Sequence, residues 1–116
     1  MKMSNAIMLA TAGLMLVASN PAFAQGDAAA GERKTGACQG CHGIPGYRTA
    51  FPAVYSVPKI GGQHPGYIVK ALQAYKSGER SHATMRAIAA GLSDQDMADL
   101  AAYYAGADAK TATIAK

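Results

Sequence analysis

The chain has 116 residues, 50% hydrophobic and 16% charged, a balance that suits one globular domain and leaves no room for a second large one. Tryptophan is absent and aromatic residues make up 7%, so the core must be assembled from Ala, Leu, Ile, Val and a few Tyr, or completed by a body the chain does not encode. Eleven Lys and Arg against seven Asp and Glu give +4 without a run of like charges, which argues against a nucleic-acid binder and leaves acidic protein partners open.

The N-terminus reads as a targeting segment. Lys2 is a short positive start, Ala6 to Val17 is apolar and uncharged, and Ala22-Phe23-Ala24 is a small-x-small cleavage site. Residues 1–24 are therefore expected to be a secretory signal peptide cut after Ala24, with residues 25–116 forming the mature domain in an oxidising compartment. The rival reading, an uncleaved anchor, meets an apolar run shorter than the roughly 20 residues that cross a bilayer. Asn20-Pro21 also interrupts any extension, and no later segment is expected to span a membrane.

Asp27 can cap a first helix running to about Cys38, with Glu32 early and Arg33 and Lys34 late, the charge order that suits the helix dipole. Cys38-Gln39-Gly40-Cys41-His42 follows. In an oxidising compartment two cysteines normally pair, but a bridge across two intervening residues constrains the unfolded chain little. Cys-x-x-Cys-His is instead the pattern of c-type haem attachment. Two thiols three positions apart can add to the vinyl groups on one edge of a porphyrin, and the adjacent imidazole can ligate its iron. A thioredoxin-like redox pair expects a strand before Cys38, which is missing, and a zinc site expects a second cysteine pair. A covalent macrocycle would also supply the apolar body that the core lacks.

Gly43 to Val57 contains Pro45, Gly46 and Pro52 and is predicted to be a loop, its Tyr47, Phe51 and Tyr55 covering a haem edge or filling core. Pro65 suits a first helical position, and Tyr67 or Ile68, Ala71, Leu72 and Tyr75 recur at helical spacing before Gly78. A short helical piece is expected over Arg86 to Ala90. Ser93 and Asp96 resemble a capping box, after which Met97, Leu100, Ala101 and Tyr104 repeat on one helical face before Gly106. Asp108 to Lys116 reads as a frayed tail. No strand pattern competes, so the fold class is all-α.

The iron's sixth ligand has four candidates. Met97 falls on the apolar face of the last helix and suits core filling. His64 immediately precedes Pro65 and suits a cap or a solvent-facing position, while His82 lies three residues before Met85 and competes with it. Met85 is in a stretch expected to be irregular, 43 residues beyond His42, far enough to wrap from one face of the ring to the other.

Taken with Pro58-Lys59-Ile60-Gly61-Gly62-Gln63-His64, Tyr75-Lys76-Ser77-Gly78-Glu79-Arg80 and Gly91-Leu92-Ser93-Asp94-Gln95-Asp96, the haem motif resembles class I cytochromes c, specifically the small bacterial periplasmic cytochromes of the c4, c5 or c553 type. The resemblance covers essentially all of residues 25–116. It implies one haem c bonded to Cys38 and Cys41 and iron ligated by His42 and Met85. It also implies a backbone acceptor at Pro58 that orients His42, and a close crossing of the first and last helices, for which Gly31 is the candidate contact. It implies a single-electron carrier between redox partners such as a quinol-oxidising complex and a terminal oxidase or reductase. Lys59, Lys70, Lys76, Arg80 and Arg86, falling between the middle of the chain and the Met85 stretch, read as a weak basic rim around the exposed haem edge. An alternative from another class is a haem-based ligand binder or peroxidase-like enzyme with an open sixth position.

Overall fold

The computed structural model describes residues 25–51 and 53–106. The expected signal peptide with its cleavage site, Pro52, and the tail over Asp108 to Lys116 lie outside the described residues. Asp27 starts α1 (Ala28–Arg33) by accepting from the backbone N–H groups of Ala29 and Ala30 at 2.8 and 3.3 Å, satisfying donors that a helix start leaves unpaired.

The single helix expected from Asp27 to Cys38 is in fact two. Both the N–H and Oγ1 of Thr35 donate to the Glu32 carbonyl, at 3.3 and 2.8 Å, occupying the acceptor that Gly36 would use in a continuous α-helix. The chain turns at this buried threonine and restarts as α2 (Gly36–His42), which carries Cys38, Cys41 and His42. After the loop, α3 (Pro65–Ser77) begins with Pro65 in its first turn and ends at Gly78, whose φ of 86° is the left-handed stop that glycine adopts freely. His64 caps it, Nδ1 accepting from Gly66 N–H at 3.1 Å.

A second correction concerns α4 (Ala83–Ala90), which begins three residues before the expected Arg86. His82 caps it, so Met85 lies in a helical turn and not in an irregular stretch. In α5 (Asp94–Gly106) the capping box is reciprocal: Asp96 N–H donates to Ser93 Oγ at 3.0 Å and Ser93 N–H to Asp96 Oδ2 at 2.9 Å.

Ile68 and Val69 of α3 meet Leu100, Ala101 and Tyr104 of α5 in the core, with Ile60, Leu72 and Leu92 against them. Met97 is fully buried, a core residue as its place on the helix predicts. α5 packs against both α1 and α3, and α3 packs against α4. At the α1–α5 crossing Gly31 is obligatory: a Cβ there would lie 2.0 Å from the Asp99 carbonyl oxygen. Asp99 is itself buried, and three donors share its carboxylate: Lys34 at 2.6 Å, Asp27 N–H at 2.9 Å and Gln95 at 2.8 Å. Lys34 also pairs with Asp96 at 2.8 Å. A buried carboxylate is tolerated because every side of it is answered.

Gly43 to Val57 is irregular, with one bridge between Arg48 and Ser56. Of its aromatics, Phe51 fills no core, being 88% exposed. Thr49 Oγ1 donates to the Ala53 carbonyl at 2.9 Å.

Gly31→Ala is expected to lower stability by about 2 kcal/mol or more, because backbone has to move, and the melting temperature by roughly 10 °C. Thermal melts of both proteins check this. The Lys34 ammonium, the Asp27 N–H and Gln95 hold the Asp99 carboxyl down at about 2, against an ordinary 3.8. A depressed carboxyl stabilises the fold above its unfolded value and loses that contribution as pH falls through its folded value, so melts are expected to weaken between about pH 4 and about pH 2. Asp99→Asn should be less stable near neutrality and fall less steeply across that window.

Candidate functional site

α2, α3, α4 and α5 enclose a cavity of about 400 Å³. Cys38, Cys41 and His42 enter it from α2, Met85 and Ile88 from α4, and Leu72 and Leu100 from α3 and α5. Pro58, which follows the loop, and Tyr55 within it also line this space. The structure thus brings together all five residues singled out in the sequence: Cys38, Cys41, His42, Pro58 and Met85.

His42 Nδ1 lies 2.7 Å from the Pro58 carbonyl oxygen. A carbonyl only accepts, so Nδ1 carries the proton and Nε2 keeps its lone pair for a ligand. A metal-binding imidazole is normally held by this kind of second contact. Both cysteines are half-buried and not bonded to each other. Burial pushes the Cys38 thiol above its ordinary value, and the neighbouring Tyr104 hydroxyl opposes that shift.

Tyr104 was expected as a core residue only. Its ring is buried in the core, yet its hydroxyl is a buried polar group without a hydrogen-bond partner among the described residues. Burial first, then the neighbouring Cys38, pushes its ionisation above the ordinary phenol range. The phenol reaches the cavity wall beside the cysteine.

Met85 is half-buried at the cavity, whereas Met97 is in the core and His64 is exposed, engaged in its cap. His82 lines the same cavity but its Nδ1 accepts from Met85 N–H at 3.2 Å. Of the five expected rim cations, Lys59 and Arg80 reach the cavity, and Arg80 and Arg86 border a neighbouring cleft. Arg80 lies over the Tyr75 ring at 4.8 Å and within 3.4 Å of Tyr67 Oη, while Lys76 donates to the Leu92 carbonyl. No sequence pattern marks the Arg80 contacts, which depend on the turn after Gly78.

Two thiols, an oriented imidazole, a thioether and largely apolar walls form a donor set and surface that fit a porphyrin iron. The cytochrome c family matches residues 24–106. The chain belongs to that family.

It is 46% identical over 82 residues to cytochrome c-554(548) of Halomonas halodenitrificans, covering 68% of this chain and 94% of that one. It is 43% identical over 84 residues to cytochrome c4 of Pseudomonas aeruginosa, covering 72% of this chain but 40% of the relative. Against the crystal structure of reduced cytochrome c4 from Pseudomonas stutzeri the TM-score is 0.56 at 32% identity, over 77% of this chain and 50% of the other. The chain therefore spans nearly all of one relative and about half or less of the cytochromes c4. It is a c-type cytochrome with the class I cytochrome c fold, carrying covalently bound haem c. No helix among the described residues is long and apolar enough to cross a membrane.

Proposed function

We propose that this cytochrome carries single electrons, with His42 and Met85 as the axial ligands of one haem bonded to Cys38 and Cys41. The observation that carries the reading is the cavity in which an imidazole oriented by Pro58 and a methionine thioether converge with both cysteines. Bound haem c supplies a one-electron iron centre.

The chain's own residues do the rest. Cys38 and Cys41 anchor the ring, and the His42–Pro58 bond holds the imidazole in its ligating tautomer. The Met85 thioether favours reduced iron and raises the potential relative to two imidazoles. Leu72, Ile88 and Leu100 keep water from the ring. With His42 and Met85 both holding the iron, no position would be left for a substrate, which favours a carrier over a peroxidase-like enzyme. Within the cavity the only histidine besides His42 is His82, and it is already used as a helix cap.

The net positive charge, with Lys59 and Arg80 at the cavity, suits acidic partner surfaces, through encounters that slow as salt rises. The partner class is a quinol-oxidising complex on one side and a terminal oxidase or reductase on the other. The compartment is the periplasm, reached by cleavage after Ala24.

Met85→Ala should lower the midpoint potential and let carbon monoxide bind the reduced protein rapidly. An unchanged potential and carbon monoxide rate would contradict Met85 as ligand. Changing both Cys38 and Cys41 to Ser should release haem into acidified organic solvent, whereas the parent protein retains it.

A further inference from the structure

We infer that His82, braced by Tyr55, is the positioning residue for Met85, so that the Gly43–Val57 loop acts on the methionine side of the haem. This rests on the reading of Met85 as an axial ligand.

Met85 is the third residue of α4, and N–H groups in a first helical turn have no partner inside the helix. The Met85 N–H is satisfied by His82 Nδ1 at 3.2 Å. α4 has eight residues, too few to hold its first turn without outside support. The cap therefore determines where the Met85 backbone starts and, with it, where the thioether is delivered.

The cap is itself held. The Tyr55 ring lies against His82 with centroids 4.4 Å apart and planes at 46°, and Tyr75 of α3 meets it edge-on at 6.2 Å. Tyr55 is held from the loop side by Thr49: Thr49 N–H donates to the Tyr55 carbonyl at 2.9 Å, and Tyr55 N–H donates to Thr49 Oγ1 at 3.0 Å. Both Tyr55 and His82 line the cavity. Tyr55 is 45% exposed, so the stack buries little and its effect falls on the geometry of the α4 turn more than on core stability. The loop leaves α2 directly after His42 and leads into Pro58, whose carbonyl accepts from His42. The loop thus meets the methionine turn through Tyr55, and the residue that follows it meets the imidazole ligand.

The test uses the purified holoprotein with His82→Ala, His82→Asn and Tyr55→Leu. Four readouts apply: the charge-transfer band that reports methionine sulfur on ferric haem, the carbon monoxide rate of the reduced protein, the midpoint potential and the melting temperature. His82→Ala should weaken the band and speed carbon monoxide binding about fivefold or more, in line with the usual effect of losing a cap. His82→Asn should restore both, since its carboxamide oxygen accepts the same N–H, and Tyr55→Leu should fall between.

A His82→Ala protein with a lower melting temperature but the parent band, potential and carbon monoxide rate would overturn the inference, as would His82→Asn behaving like His82→Ala. Tyr55→Leu matching the parent would overturn the part assigned to the loop. A parent protein lacking the methionine band would instead overturn the reading of Met85 as ligand.

Discussion

The contact of Gly31 with the Asp99 backbone is the constraint on which the other positions depend. Only a residue without a side chain lets α1 approach α5 this closely, and the buried Asp99 carboxylate then binds the Asp27 N–H and Lys34, the two residues that cap this short helix. α1 is thereby pinned at both ends. Because Thr35 joins it to α2 through a single hydrogen-bonded turn, pinning α1 also places Cys38 against the cluster of Leu100 and Tyr104 and brings Cys41 and His42 to the cavity.

With that corner fixed, the remaining helices surround a space more than they fill it. The buried apolar residues centre on the α3–α5 contact, and the cavity opens beside them. A tryptophan-free chain with few aromatics cannot close such a space with its own side chains. In a cytochrome c the haem serves both as the redox centre and as the missing part of the core, so attachment chemistry and folding stability are coupled through the same wall of α2.

The sequence made some of this legible because the signals were local. Cys38-Gln39-Gly40-Cys41-His42 has a spacing with one dominant chemical meaning, Pro65 and Gly78 mark the ends of α3, and the Ser93–Asp96 pair marks the start of α5. Met97 and Leu100 were readable as core from helical spacing, and the family resemblance pointed to Gly31 at the crossing. What escaped was set by contacts that spacing does not encode. The break at Thr35 arises from a side chain bonding back to Glu32, a local competition with the helix that residue spacing does not report. The early start of α4 comes from a histidine cap, a residue type outside the usual capping set. The Lys34–Asp99 pair joins residues far apart in the chain, and the uncompensated Tyr104 hydroxyl becomes visible only once α2 and α5 meet.

The most direct test is an ultraviolet-visible spectrum of the purified parent protein, oxidised and reduced. Low-spin bands in both states, with the charge-transfer band of methionine sulfur on ferric haem, are what His42 and Met85 ligation predicts. A high-spin spectrum, or a low-spin one without the methionine band, would contradict the carrier ligated by His42 and Met85.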